Sequence, residues 1–149
     1  MREIKFRAQG RSSGNWYYGY FTYQSNHYCI VEENGNIIEV DPRTVGQYTG
    51  LKDREGQEIY EGDILQKTKK KERGPKITVI GIVKWNKMFR GWRAKTIDTK
   101  NHAYLKEGSI WCGKKVNGNI CNFQKSKVIG NKHENPGLLK EGNSEKKTR

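Results

Sequence analysis

Basic and aromatic residues alternate in the segment KWNKMFRGWRAK, which spans residues 84–95. The segment holds five basic residues, three aromatic residues and no acidic residue. Lysine and arginine contact phosphates, and a base can stack on an aromatic ring or on a guanidinium plane. In regular strands, successive side chains alternate between the two faces of the sheet. This places Lys84 on the face opposite Trp85, and Arg93 on the face opposite Trp92. The segment predicts a surface that binds nucleic acid or a nucleotide.

A second basic run, KTKKKERGPK at residues 67–76, has six basic residues against one acidic residue. We expect it to form a flexible hairpin tip that adds phosphate contacts. The alternative is that Trp85 and Trp92 pair across a hairpin in the core, a common stabilising arrangement, while the cations are merely exposed. The candidate ligand-binding residues are Lys69, Lys70, Lys71, Arg73, Lys84, Trp85, Lys87, Phe89, Arg90, Trp92 and Arg93.

The formal net charge of +13 is concentrated in one stretch of the chain. Residues 67–132 contain 18 basic and three acidic residues, whereas residues 1–66 contain seven basic and ten acidic residues. This distribution predicts a strongly positive face and an anionic partner. The alternative is a lysine-rich surface that only keeps the protein soluble.

Five acidic residues lie close together in the segment DREGQEIYEGD, and a general acid–base pair or a metal-dependent nuclease site could be drawn from them. Their order is more typical of a turn followed by the outward face of a strand, so we predict no catalytic residue and no enzyme. Asp63 is the acid that tests the nuclease alternative, although its position after Gly62 favours bonds to backbone amides. The five residues are Asp53, Glu55, Glu58, Glu61 and Asp63.

Four possible zinc ligands are too widely spaced for a zinc knuckle, in which ligands come in close pairs. We therefore expect neither a metal nor a cofactor. Cys29 lies in an apolar segment, where a thiol usually serves as a small buried hydrophobe. Sparse cysteines, and the absence of an apolar run of about 20 residues, predict a protein of a reducing cytoplasm without a membrane partner. The four possible ligands are His102, Cys112, Cys121 and His133.

Short segments with a period of two predict an all-β fold. Asn34-Gly35 tolerates the positive φ of tight turns and predicts a hairpin. Gly62-Asp63 interrupts a strand and suggests a bulge or the start of a barrel, and Asn135-Pro136 predicts a short helical turn. We expect one domain over residues 1–139 and a flexible tail over residues 140–149. The predicted strands span residues 2–8, 16–23, 27–33, 37–41, 59–65, 77–85, 92–98 and 127–131.

The run WYYGYFTY at residues 16–23 contains six aromatic residues, in a chain with only 33% hydrophobic residues. A single small subunit does not readily expose that much aromatic surface. We therefore expect a homo-oligomer in which part of this run is buried between subunits.

Three blocks of the chain resemble the YopX family of phage and prophage proteins. They are MREIKFRA at the start, GQYTGLKDREGQEIYEGDIL at residues 46–65, and VIGNKHENPGLL at residues 128–139, in the family's order. Departures from the family pattern are Gln9 in place of an aromatic residue, Lys132-His133 in place of an apolar residue and a tyrosine, and Gly137 in place of an acid.

The resemblance implies a small SH3-like, partly closed barrel around the YEGDI strand with an N-terminal sheet, and a viral accessory role in the host bacterial cytoplasm. The family pattern offers no accepted catalytic residue to carry over. Two functions follow as expectations. The first is a phage-encoded accessory protein that binds an anionic partner, most simply nucleic acid. The alternative is a counter-defence protein that sequesters a small nucleotide immune signal or blocks a host defence protein.

Overall fold

The computed structural model describes residues 3–69, 74–100, 110–112 and 123–139, and the all-β fold predicted from the sequence is confirmed. Within these residues no helix reaches seven residues, and none is long and apolar enough to cross a membrane. Three 3₁₀ turns span Pro42–Thr44, Phe123–Lys125 and Pro136–Leu139, the last at the helical turn predicted from Asn135-Pro136. The strands are β1 (Phe6–Gln9), β2 (Trp16–Gln24), β3 (His27–Val31), β4 (Ile37–Glu39), β5 (Gly46–Lys52), β6 (Glu58–Tyr60), β7 (Asp63–Lys69), β8 (Ile77–Asn86), β9 (Gly91–Lys100), β10 (Ile110–Cys112) and β11 (Lys127–Asn131).

The region predicted as one domain contains two compact units, which divide between residues 50 and 51. In the first unit the strands are antiparallel and lie in the order β4-β3-β2-β1-β5. Its core contains Ala8 of β1, Ile30 of β3 and Val40, which directly follows β4, and all three are buried. A Cβ atom at Gly19 would lie 2.0 Å from the carbonyl oxygen of Val31, so only glycine permits this close approach.

The hairpin predicted at Asn34-Gly35 is present between β3 and β4, but its loop is longer than a two-residue primed turn. Gly35 has a φ of 87°, while Asn34 stays outside the left-handed region and accepts a hydrogen bond from the Asn36 backbone amide at 2.9 Å. The tight two-residue turn lies instead between β2 and β3. There Ser25 and Asn26 have φ values of 49° and 68°.

The second unit contains a five-stranded antiparallel sheet in the order β10-β9-β8-β7-β11. The partly closed barrel expected around the YEGDI segment is not formed by the described residues, because both sheets stay open. Gly62 has a φ of 85° and lies in the turn between β6, which ends at Tyr60, and β7, which begins at Asp63. The strand predicted over residues 59–65 is therefore two separate strands, β6 and β7.

The apolar core of the second unit contains residues of β6, β7, β8, β9 and β11 and of the 3₁₀ turn before β11. It includes Phe123, which is fully buried, and Trp92 from β9. The buried members are Ile59, Leu65, Val79, Val83, Trp92, Ala94, Phe123 and Val128.

Asp53 connects two parts of the second unit that lie far apart in the sequence. One oxygen of its buried carboxylate, Oδ1, accepts hydrogen bonds from the backbone amides of Glu55 at 2.8 Å and Gln57 at 2.9 Å. The other oxygen, Oδ2, accepts the backbone amide of Val128, 75 residues later, at 3.0 Å. The Arg54 amide donates to the carbonyl oxygen of Ser126 at 2.9 Å. These bonds attach the turn at residues 53–57 to the start of β11.

Burial acts to raise the pKa of Asp53, but the hydrogen bonds from the backbone amides of Val128, Gln57 and Glu55 outweigh it and hold the pKa below its usual value. A lowered pKa in the folded state means that the unfolded chain binds more protons in acid. The stabilisation by Asp53 is therefore complete above the unfolded pKa of about 3.9, and it is lost as the pH falls through the folded pKa.

We expect Asp53→Asn to lower the free energy of unfolding by about 1–3 kcal/mol at pH 7, because the amide nitrogen of asparagine cannot accept the Val128 bond. The loss should shrink as the pH falls below about 4, because the unfolded wild-type chain then takes up a proton at this position while the folded carboxylate, with its lowered pKa, is still ionised. Urea unfolding as a function of pH measures this effect. The control is Glu55→Gln, which removes exposed ion pairs to Lys127 and Arg54 and should cost under about 1 kcal/mol. Equal losses for the two variants would contradict the role of Asp53.

Candidate functional site

The hairpin of β8 and β9 brings the sequence-predicted aromatic and basic residues together. Its register pairs Trp85 with Trp92 and Lys84 with Arg93. Directly paired residues share a face of the sheet, and neighbours along a strand alternate. The two indoles therefore lie on one face and the two cations on the other, as the alternation predicted. We call residues 84–95 the β8–β9 tip.

The two indole rings differ in their environment. They make an edge-to-face contact with ring centroids 5.2 Å apart and planes at 79°. Trp92 is 7% exposed and belongs to the core of the second unit, whereas Trp85 is 45% exposed. The alternative, in which the tryptophans belong to the core, is therefore correct for Trp92, whose ring face is not available for stacking. Trp85 stays accessible.

The turn that closes the tip is held by its own polar groups. The side-chain oxygen Oδ1 of Asn86 accepts a hydrogen bond from the Phe89 backbone amide at 3.0 Å. The Arg90 amide donates to the carbonyl oxygen of Lys87 at 3.4 Å. Arg90 has a φ of 44°, a left-handed conformation that side chains other than glycine and asparagine rarely adopt. An arginine at this position is energetically unfavourable for the isolated backbone.

Phe89 and Arg93 form a layered pair beside the turn. The Arg93 guanidinium carbon lies 5.2 Å from the centroid of the Phe89 ring, and the Phe89 side chain is 54% exposed. Nη1 of Arg93 also donates to the carbonyl oxygen of Trp92 at 2.9 Å, which fixes the guanidinium. A guanidinium held over an exposed ring offers both a phosphate donor and a stacking surface.

The remaining cations of the tip are exposed and surround this pair. Lys84, Lys87 and Arg90 are all exposed. Lys95, two residues after Arg93 and so on the same face, is also exposed, although it was not singled out from the sequence. The signal that identifies Lys95 is the two-residue period of β9, which becomes usable once the strand register is known.

The other predicted basic run lies mostly outside the described residues. The backbone of Lys69 ends β7 and pairs with Ile77 on β8. Lys70, Lys71 and Arg73 are outside the described part of the chain. The tip is therefore the site that the structure describes, and the predicted clamp stays a prediction.

Two of the five acidic residues of the segment, Asp53 and Asp63, are buried and accept hydrogen bonds from backbone amides. Asp63 is completely buried, and its Oδ2 accepts the backbone amide of Tyr60 at 2.8 Å, as its position after Gly62 predicted. Asp53 holds the turn and β11 together, as described above. Among the described residues, no group of three His, Cys, Asp or Glu side chains could hold a metal ion. Of the four widely spaced His and Cys residues, only His133 has a described side chain.

Cys29 is buried on β3 with 5% of its surface exposed, which confirms its prediction as a small core residue. It pairs across the sheet with Thr22 on one side and Glu39 on the other. Its thiol lies 3.8 Å from the carbonyl oxygen of His27, a distance at which the thiol donates weakly.

Comparison with known proteins gives a family. The family model described as "YopX protein" matches residues 5–140, which is most of the chain. The resemblance carried by the three sequence blocks is thereby confirmed. None of the curated proteins matches the chain.

The two tryptophans of the tip provide a matched pair of substitutions. We expect Trp92→Ala to lower the free energy of unfolding by about 3 kcal/mol or more, because it removes a large ring from the core. Trp85→Ala should cost about 1 kcal/mol, the value of the aromatic contact and part of its burial. Chemical denaturation followed by circular dichroism measures both. Losses of the same size would contradict the assignment of only one indole to the core.

Proposed function

The chain belongs to the YopX family, and we propose that it is a phage accessory protein that binds nucleic acid, without catalysis, in the cytoplasm of a bacterial host. The proposed contact surface is the β8–β9 tip. Phosphates would lie against its exposed cations, and unpaired bases would stack on its accessible rings.

The backbone conformation of Arg90 is the observation that carries this proposal. A left-handed φ costs an L-residue with a long side chain roughly 1–2 kcal/mol, whereas glycine adopts it freely. The Arg90 side chain is exposed and adds nothing to the core that would offset this cost. Strained residues of this kind cluster at binding sites. A long cation in such a turn is suited to reach an anion beyond the surface of the sheet.

The charge of the tip supports the same partner. Its five basic residues have no acidic neighbour within residues 84–95, so no carboxylate of the tip competes with a phosphate. Lys84, Arg93 and Lys95 share one face of the hairpin, which makes a row of cations rather than a single point charge. A row suits a polymer with regularly repeated phosphates.

The rings of the tip favour single strands over duplexes. Phe89 lies beneath Arg93 and keeps half of its surface exposed, and Trp85 is accessible on the opposite face. A base can stack on such a ring only when it is not already stacked inside a duplex. We therefore expect weak sequence preference and tighter binding to single-stranded DNA or RNA.

The arrangement of the acidic residues supports binding rather than catalysis. Asp53 and Asp63 are buried, and their carboxylates accept hydrogen bonds from backbone amides. A general base or a metal ligand must instead face the substrate. If the protein nicks DNA in the presence of magnesium or manganese, and Asp63→Asn abolishes this activity, the acidic segment is catalytic instead.

Binding of a small nucleotide is a second candidate, and one concavity in the first unit favours it. The concavity has a volume of about 590 Å³, and its lining includes Arg11, His27, Tyr28 and Arg43. However, Nη1 of Arg11 lies 2.7 Å from Oε1 of Glu39, and Nη2 of Arg43 lies 2.7 Å from Oδ2 of Asp41. These carboxylates compete with a phosphate for the guanidinium groups, so the tip is the stronger candidate.

A salt titration tests the proposed function. We expect single-stranded oligonucleotides to bind at low salt, with log K falling against log [salt] by about 0.7 for each phosphate neutralised, and hence by about 3.5 if all five tip cations engage. Fluorescence anisotropy with single-stranded DNA, duplex DNA and RNA measures the slope. Lys84→Gln/Lys87→Gln should reduce the slope, whereas the control Lys52→Gln/Lys125→Gln, outside the tip, should not.

Two results would contradict this function. The first is the absence of binding to all three nucleic acids at low salt. The second is a shallow slope with a fixed stoichiometry for a mononucleotide or dinucleotide, which would favour the pocket in the first unit instead.

A further inference from the structure

The outer face of the first unit carries an exposed apolar surface. Tyr20 on β2 pairs with Val31 on β3, and Val31 pairs with Ile37 on β4, so these three side chains share the face opposite the core. Tyr20 is 64% exposed and Ile37 is 56% exposed. Tyr18 lies two residues before Tyr20 on the same face and is also exposed. Contiguous exposed apolar patches with a polar rim mark protein interaction sites.

A groove of about 350 Å³ runs beside this surface, and its rim is acidic. We call it the N-terminal groove; it is lined by Glu3, Ile4, Lys5, Tyr18, Gly19, Tyr20, Glu32, Glu33 and Asn34. Lys5 is the single cation of the lining and lies 3.2 Å from the carboxylate of Glu3. Glu32 and Glu33 therefore leave the rim with a negative charge. Among the described residues of the first unit, the exposed arginines are Arg11 and Arg43, and both line the separate concavity described above.

The β8–β9 tip has the complementary chemistry. Met88 is 83% exposed, Phe89 is half exposed, and the cations Lys87 and Arg90 flank them in the turn. An apolar side chain between cations matches aromatic rings between carboxylates in both charge and polarity. Aromatic faces also attract ammonium and guanidinium groups.

We infer that the β8–β9 tip of one copy of this protein docks in the N-terminal groove of a second copy. Met88 and Phe89 would contact Tyr18, Tyr20 and Ile4, and Lys87 and Arg90 would pair with Glu32 and Glu33. The contact joins two different surfaces, so a pair of copies keeps one free groove, on one copy, and one free tip, on the other. Association of this kind is head to tail and grows into rings or open chains. It does not depend on nucleic-acid binding.

The test uses variants that remove one surface at a time. The groove variant is Tyr20→Ser/Glu33→Gln, and the tip variant is Lys87→Gln/Met88→Ser; all four side chains are exposed, so both variants should fold. The matched control is Tyr23→Ser, because Tyr23 is an exposed tyrosine of the same strand on the opposite face. Sedimentation velocity of the nuclease-treated full chain, at concentrations up to about 100 micromolar, measures association.

We expect the wild type and the Tyr23→Ser control to form oligomers that grow with concentration and dissociate in high salt. Each surface variant alone should be monomeric, and an equimolar mixture of the two should form a one-to-one dimer, because the mixture contains one intact groove and one intact tip. A monomeric wild type, a groove variant that associates like the wild type, or a mixture that stays monomeric would overturn the inference. A monomeric wild type that still binds oligonucleotides would contradict only the docking, and an oligomeric wild type that binds no oligonucleotide would contradict only the proposed function, so the two proposals fail separately.

Discussion

The second unit depends on the hydrogen bonds that the carboxylate of Asp53 accepts. The carboxylate fastens the turn after β5 to β11, because Oδ1 accepts the local backbone amides of Glu55 and Gln57 while Oδ2 accepts the distant amide of Val128. Without it, the amide of Val128 would lie in the core with no acceptor, and a buried unsatisfied amide costs about 1–3 kcal/mol. β11 is the edge of the sheet beside β7, and β7 pairs with β8. Asp53 therefore anchors the edge strand of the sheet that contains the β8–β9 hairpin.

The β8–β9 hairpin contains both core residues and exposed residues. Val83, Trp92 and Ala94 point into the core and fix the register. Towards its tip, the exposed residues contribute little to stability, and their identities are open to other demands. Arg90 is the residue in which this freedom is most evident, since glycine would suit the backbone better. The same tip presents apolar and basic groups that suit both a nucleic acid and the acidic groove of another copy.

Sequence reasoning identified the features that depend on neighbouring residues. The two-residue alternation located most strands, and Gly62 before Asp63 indicated a carboxylate bonded to local amides. It did not reveal the bond between Asp53 and Val128, because nothing local relates residues 75 positions apart. It also could not decide which tryptophan is buried, since Trp85 and Trp92 share a face and differ only in their distance from the core. The prediction of a partly closed barrel was wrong for a related reason. Closure of a sheet depends on the pairing of its edge strands, and the alternation of residues within a strand does not encode that pairing.

We propose that the side chain of Arg90 binds an anion and that this binding is the reason for its costly backbone conformation. The variant Arg90→Gly tests this proposal, with Arg90→Lys as the control that keeps both the charge and the backbone cost. We expect Arg90→Gly to raise the free energy of unfolding by about 0.5 kcal/mol or more. We also expect weaker binding to single-stranded DNA, with a salt slope reduced by about 0.7, while Arg90→Lys leaves both quantities close to wild type. If Arg90→Gly stabilises the protein and binds the oligonucleotide with wild-type affinity and slope, the claim is contradicted.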